Sequence, residues 1–424
     1  MLFNYLIGQI RLLIIDIARG TNIRKQLSYL RREQYFSSTE IKNIQKNKIN
    51  KIFSLAQQNT DYYRNYETYE ELPILTKDLV RKNEDGLKNK FFKKKLFKKG
   101  TSGSTGTPLV YYTTQLAQSF MWAGILLSWE VTKFVIGERV AFISGSAIIK
   151  SSTQHNIFYK LLNIKCYSTF TLNDENIEHY IDDIKKRKTK LIYGYATALD
   201  KMATYINKKM PETTFPHLKG IVSSAEVLTE ENRKNIETAF KTNVYNQYGC
   251  NEAGISAFEC EHKKMHIIST RSWYETDEEN NLISTDLANE GFIMMRYFTG
   301  DKVLFAKENT CECKRNYPII DNVIGRSYDF VVDMNKKILH AAFFNILFRN
   351  DPTVKQFQVT FNKNSIKICL NVDNTKSLCE YDIYLNAIKK HLHFEHYEMI
   401  FNTPFLTAEN AKHRYVIDET NLVC

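Results

Sequence analysis

Apolar residues recur at helical spacing through roughly the first sixty positions, and Ser37-Ser38-Thr39-Glu40 reads as the capped start of a helix carrying Ile41, Ile44, Ile49 and Ile52. Pro73, in Leu72-Pro73-Ile74-Leu75-Thr76-Lys77, predicts an extended segment, because its ring fixes φ and removes a donor. The period then changes. Short apolar runs at Val140–Ile143, Leu191–Tyr193, Gly220–Val222 and Val244–Gln247 lie between longer helical patterns such as Glu175–Lys186 and Thr229–Phe240. That alternation predicts an α/β fold, a sheet with flanking helices. From Gly291 to Phe305 the pattern is strand and turn. After Asp329, strands near Phe330–Val332 and Lys367–Asn371 and helices near Ala342–Phe348 and Tyr381–His391 predict a smaller α+β unit. The expected division is a large N-terminal domain, 1–326, with a helical region over 1–90, and a C-terminal domain, 327–424. No internal repeat or low-complexity segment is present.

Charge changes this picture locally. The 424 residues carry a net +11, and residues 1–100 hold 21 Lys and Arg against 10 Asp and Glu, which leaves the rest of the chain neutral. A balanced body excludes a protein whose whole surface follows nucleic acid, since phosphate binding needs a broad cationic face. The excess sits in the first helices (Arg11, Arg19, Arg24, Lys25) and in Lys93-Lys94-Lys95 and Lys98-Lys99. The apolar stretch Leu2–Ile17 has two readings: a helix lying on an anionic membrane, or one packed on the core. It is interrupted by Arg11 and Asp16 and makes a poor signal peptide. No apolar run reaches the roughly 18 residues that a membrane span requires. The eight cysteines form no even framework, which points to a reducing compartment. The expected location is cytoplasmic; only the membrane reading of the N-terminal helix would add peripheral contact at the inner membrane face.

Two groups of residues carry chemistry. Thr101-Ser102-Gly103-Ser104-Thr105-Gly106-Thr107-Pro108 follows the lysine cluster and precedes the strand-like Leu109-Val110-Tyr111-Tyr112. Glycines let backbone N–H groups close on an anion, and the hydroxyls add donors for phosphate oxygens. No Gly-Lys-Ser/Thr ends the loop, so it is not a Walker A sequence. The second group is Cys260, His262, His266, Cys311 and Cys313. Cys311-Glu312-Cys313 on a turn offers two thiolates, and Cys260 with one histidine completes a tetrahedral Zn²⁺ set. Spacing leaves both histidines open, since Cys260 and His262 could share one face of a strand. Ser223 and Ser224 lie in no Gly-x-Ser-x-Gly elbow, which argues against a serine hydrolase.

The loop 101–108 resembles the phosphate-binding loop of the adenylate-forming enzymes, the acyl-CoA synthetase-like superfamily, and further motifs follow in that superfamily's order. Tyr248-Gly249-Cys250-Asn251-Glu252 resembles its Tyr-Gly-x-x-Glu motif, which implies that Tyr248 lies against adenine and Glu252 helps hold Mg²⁺. Thr299-Gly300-Asp301 resembles the motif whose aspartate accepts the ribose hydroxyls. Gly325-Arg326-Ser327-Tyr328-Asp329 resembles the interdomain hinge, with Tyr328 in place of an aspartate. Ala411-Lys412 resembles the Gly-Lys segment that supplies the catalytic lysine, with alanine in place of glycine. The nearer resemblance is to the phenylacetate-CoA ligase group and its CapK-type capsular polysaccharide branch. Its marks are Asp61-Tyr62-Tyr63-Arg64, Leu72–Lys77, Tyr193-Gly194-Tyr195 and Ser223-Ser224-Ala225-Glu226.

This resemblance implies an α/β enzyme with a small C-terminal lid that converts a carboxylic acid and ATP into an acyl-AMP. An acyl transfer to a thiol, CoA by default, or to an amine would follow. The implied catalytic residues are Lys412, Glu252 and Arg326. ATP would be bound by Thr101, Ser102, Gly103, Ser104, Thr105, Gly106, Ser224, Ala225, Glu226, Tyr248, Gly249, Asp301 and Arg326. The resemblance also implies a structural Zn²⁺ on Cys260, His266, Cys311 and Cys313. The alternatives are a nucleotidyl transferase that leaves AMP on its product and a non-catalytic module at a membrane surface.

Overall fold

The computed structural model describes residues 2–100, 109–144, 153–169, 172–326, 330–340, 342–349, 351, 353–373, 377–406 and 416–420. The chain divides into two compact units. The larger comprises Met1–Lys99, Tyr111–Thr299 and Val303–Val323, and the smaller Gly100–Val110, Gly300–Lys302 and Ile324–Cys424.

The larger unit is organised by an 11-stranded sheet. From one edge run Ile164–Ser168, Val140–Ser144, Leu191–Tyr195, Gly220–Ser224 and Val244–Cys250, all parallel. Ile255–Glu259, Met265–Ile267, Ile319–Arg326, Tyr297–Phe305, Asn281–Asp286 and Ser272–Thr276 continue it in that order; the pairings from Val244–Cys250 through to Ile319–Arg326, and that of the last two strands, are antiparallel. The parallel strands read as short continuous apolar runs because both faces are covered; every residue of Val140–Ser144 is buried. On one face, helices Asp174–Lys186, Ala196–Lys209 and Glu230–Phe240 bring Ile181, Leu199, Met202 and Ile236 onto Ile143, Ile192 and Ile221. Thr229 caps the last of these helices from outside, its hydroxyl accepting from the amide of Asn232 at 3.1 Å.

The other face is covered by Gln115–Glu130, a helix that sequence periodicity did not mark. It is apolar almost all round and buried almost all round, so it has no amphipathic period to detect. Helix Ile23–Glu33 packs over it through Leu27 and Leu30. The capped start expected at Ser37 is present: the Ser37 hydroxyl accepts from the Glu40 amide and the Glu40 carboxylate accepts from the Ser37 amide, opening helix Ser38–Asn59. Ile41, Ile49 and Ile52 of that helix are buried and Ile44 is partly exposed.

The first helix, Leu2–Arg19, packs on the body with Gly8, Leu12 and Ile15. Glycine is required at two facing points. A Cβ on Gly8 would lie 2.3 Å from the carbonyl oxygen of Ile136, and one on Gly137, at φ +99°, would lie 2.2 Å from that of Asn4.

In the smaller unit, strands Val354–Phe361 and Ser365–Val372 pair antiparallel, flanked in parallel by Val416–Asp418 and His396–Phe401. Its core draws on Phe344 and Phe348 of helix Ala342–Arg349, Ile388 of helix Asp382–His391, and Val359, Ile366, Ile368 and Leu370 of the sheet.

Candidate functional site

In an open α/β sheet, ligands are bound beyond the carboxyl ends of the parallel strands. Here Tyr195 pairs with Ser224 and Ser224 with Gln247, so these three form one row across that end, with Tyr248 one step beyond. Ala225 leaves the strand in the left-handed region, φ +68°, a conformation that costs a non-glycine residue about 1 kcal/mol or more. The bend returns Glu226 to the start of helix Ala196–Lys209. There its carboxylate accepts from the Thr197 amide at 2.9 Å and the Thr197 hydroxyl at 2.7 Å. That helix has Tyr195 at its N-cap and no side-chain cap of its own, so Glu226 supplies one from a distance.

Tyr248 and Gly249 end the strand Val244–Cys250 and lead through Asn251–Gly254 into Ile255–Glu259. Glu252, at the tip of this hairpin, is partly exposed. The tip rests on Asp286: Gly254 has φ +72°, and a Cβ there would lie 2.6 Å from that side chain. Asp286 is buried with Arg271, whose Nη2 lies 3.9 Å from the carboxylate and whose Nη1 donates to the Ser256 hydroxyl at 3.0 Å. Burial pushes the Asp286 carboxyl up, and the neighbouring guanidinium opposes that. Tyr111 completes this floor, and burial, reinforced by the nearby Glu252 carboxylate, holds its phenol well above the ordinary range. Sequence reasoning missed Tyr111, Arg271 and Asp286. They act on the loop from below, and no motif marks them.

Asp301 lies on strand Tyr297–Phe305, buried, directly after Gly300 at φ +77°. Beside it the Thr299 hydroxyl donates to the Leu282 carbonyl at 2.8 Å. Arg326 is the last residue of strand Ile319–Arg326. Thr101, Ser102, Gly103, Ser104, Thr105 and Gly106, the hinge residue Tyr328, and Lys412 lie outside the described residues.

The structure does bring Cys260, His266, Cys311 and Cys313 together, with all four ligand atoms within 4.8 Å of one another. Two tight turns build the group. In one, the Lys263 amide donates to Cys260 O at 2.9 Å; in the other, the Lys314 amide donates to Cys311 O at 3.0 Å. Each turn ends on a left-handed lysine. The first turn reverses the chain, so Cys260 and His262 share no strand face. His262 is instead directed to solvent and lies 3.5 Å from Glu312, while His266, on the returning strand, faces the thiols. His266 Nδ1 lies 3.0 Å from the Tyr317 carbonyl, an arrangement that places the ring proton there and leaves Nε2 as an acceptor.

The spacing fits a tetrahedral ion. A zinc with Zn–S of about 2.3 Å and Zn–N of about 2.0 Å sets two sulfurs about 3.8 Å apart and a sulfur and nitrogen about 3.5 Å apart. The Cys260 and Cys311 sulfurs are separated by 3.6 Å, and Cys313 Sγ lies 3.3 Å from His266 Nε2. Backbone amides of His262 and Arg315 point at Cys260 Sγ and Cys313 Sγ, at 3.4 and 3.5 Å, as donors that favour thiolate. Without a cation, burial pushes the Cys260 and Cys311 thiols up and the His266 imidazole down. Neutral imidazole is the form that binds metal.

No protein-family model matches the chain. It is 28% identical to Protein CapK of Staphylococcus aureus over 369 residues, which covers 82% of this chain and 80% of that protein. Among solved structures it resembles 2-hydroxyisobutyryl-CoA ligase in the postadenylation state, in complex with R3-HIB-AMP, with TM-score 0.66, 14% identity and 91% of each chain covered. It also resembles that ligase in its thioesterification state with 2-HIB-AMP and CoA, with TM-score 0.55, 15% identity and 92% of each chain covered. A third likeness is to an ATP-bound RpMatB-BxBclM chimera, with TM-score 0.52, 12% identity, and 76% of this chain and 66% of that one covered. The chain has the fold of the adenylate-forming ligases, joined to a sequence similarity with Protein CapK.

Proposed function

We propose that this protein activates a carboxylic acid by adenylation and passes the acyl group to a thiol, CoA by default, or to an amine. The observation that carries this reading is the adenylate-forming fold, matched over nine tenths of the chain, in a sequence that also holds that superfamily's motifs in order. In the first step a carboxylate oxygen bonds to the α-phosphorus of ATP and the bond to pyrophosphate breaks. In the second, the acceptor's lone pair attacks the acyl carbon, AMP leaves with the electron pair, and the acceptor loses a proton.

Negative charge grows on the α-phosphoryl group during the first step, and fixed cations are the direct way to lower that barrier. Lys412 is assigned this role, with Arg326 on the nucleotide. Tyr248 is assigned to the adenine face, Asp301 to the ribose hydroxyls, and the loop Thr101–Gly106 to the phosphates through its amides and hydroxyls. Mg²⁺ would be held by Glu252, whose partly exposed carboxylate stands on a hairpin braced from beneath by Asp286 and Arg271. When bound, the ion supplies charge neutralisation at the phosphates. A structural zinc would be held by Cys260, His266, Cys311 and Cys313, with four protein ligands and no position open to water.

Resemblance to the phenylacetate-CoA ligase group and its capsule-type branch, together with the similarity to Protein CapK, supports a role in bacterial surface polysaccharide synthesis, with an amino sugar as an amine acceptor. A screen of carboxylic acids for ATP-dependent pyrophosphate release tests the activity. One acid that drives release, with loss of that release in Lys412→Ala, is the expected result. Silence across a broad acid panel would overturn the proposal.

A further inference from the structure

The helix Leu2–Arg19 is apolar on two opposite sides. Gly8, Leu12 and Ile15 face the body, and the close approach at Gly8 and Gly137 leaves no room for the helix to roll. Phe3, Leu6, Ile10, Leu13, Ile14 and Ile17 face outward with 42–75% of each exposed. At 100° per residue these six span about a quarter of the helix circumference, centred opposite the buried side. This apolar ribbon runs nearly the length of the helix, which extends about 27 Å. Its one acidic residue, Asp16, is turned to the following loop, where it accepts from the Thr21 hydroxyl and the Ile23 and Arg24 amides.

The ribbon has a basic border. Helix Ile23–Glu33 lies alongside, and its Arg24 guanidinium donates to Gln9 of the first helix at 3.2 Å. Arg24, Lys25 and Arg32 are exposed on that neighbouring helix, and Arg11 stands on the first helix itself. Apolar side chains flanked by cations match the interface of an anionic bilayer, where the side chains enter the acyl boundary and the cations meet headgroup phosphates. A second copy of the same face would oppose the two basic borders, which disfavours self-association as the occupant.

We propose that this face docks the protein on an anionic phospholipid membrane, with the first helix lying in the plane of the interface. The proposal is independent of the chemistry assigned to the sheet edge.

Co-sedimentation of the full chain with phosphatidylcholine vesicles, with and without phosphatidylglycerol, tests it. Binding to the anionic vesicles that falls as salt is raised is expected. Ile10→Asp with Ile17→Asp should weaken that binding by about tenfold or more. Arg24→Glu with Lys25→Glu should weaken it several-fold while leaving the ribbon intact. All four positions lie on the surface, so circular dichroism should match the wild type. Wild-type protein that ignores both vesicle types would overturn the proposal, as would binding that both variants retain. A dimer that Ile10→Asp with Ile17→Asp splits, with no lipid binding by the parent, would also overturn it and reassign the face to self-association.

Discussion

Lys412 bears the heaviest chemical demand in the proposed reaction, since charge builds on the α-phosphoryl group only as the carboxylate attacks. Lys412→Ala is therefore expected to slow acyl-adenylate formation by about two to three orders of magnitude while ATP binding survives. Calorimetry with ATP alongside a pyrophosphate-release assay separates the two effects. At the floor of the Glu252 hairpin, Arg271→Met would leave the buried Asp286 with only the weaker cationic influence of Lys48 to offset its charge. The expected consequence is a loss of about 3 kcal/mol in denaturant unfolding, together with a raised Mg²⁺ requirement for pyrophosphate release. The motif residues proposed for this site were picked out by their order along the chain. Arg271, Asp286 and Tyr111 were not, since they meet only through the packing of the hairpin on the strand Asn281–Asp286. That His266 rather than His262 lies with the three thiols follows from a turn that spacing alone could not fix.

The two cysteine turns are elements whose local order would depend on a bound zinc ion. Arg315 beside Cys313 donates to Gln34 at 2.8 Å, and the Asn316 amide donates to Gln34 O at 2.8 Å, so the second turn is tied to the end of helix Ile23–Glu33. Removing a zinc ion would therefore loosen an N-terminal helix as well as the turns. Cys313→Ser should lower bound zinc, measured by elemental analysis, from one per chain to well below that, and lower the melting temperature by about 5 °C or more. Purified wild-type protein without zinc would remove this assignment. A second element-scale test lies next door. Arg233 of helix Glu230–Phe240 donates to both carboxylate oxygens of Glu259, at 3.1 and 2.6 Å, and both side chains are nearly buried. Arg233→Met should cost about 3–5 kcal/mol in denaturant unfolding, and adding Glu259→Leu should recover much of it, because the first change alone leaves a buried charge. Elements with a clear period or cap, such as Ser38–Asn59 and four of the five parallel strands, were readable from sequence, the edge strand Ile164–Ser168 excepted. The helix Gln115–Glu130 was not, because it has no polar face; in the antiparallel half only the stretch ending at Phe305 was, because a strand such as Asn281–Asp286 is buried throughout yet mixes polar with apolar residues.

At the scale of the whole molecule, the basic excess read from composition has a definite position: part of it borders the outward apolar face of the first helix. Among the described residues no helix is long and apolar enough to cross a membrane. The two expectations for the first helix, packing and membrane contact, concern opposite sides of it, and the structure shows the packing. The proposed reaction is defined by the bond that forms at the α-phosphorus. Once the screen has found an acid, that acid can be supplied with heavy oxygen in its carboxylate, and the AMP released after acyl transfer weighed by mass spectrometry. Attack by the carboxylate predicts AMP carrying one heavy oxygen, with none in the pyrophosphate. AMP free of label, or AMP left covalently on the product, would contradict the mechanism.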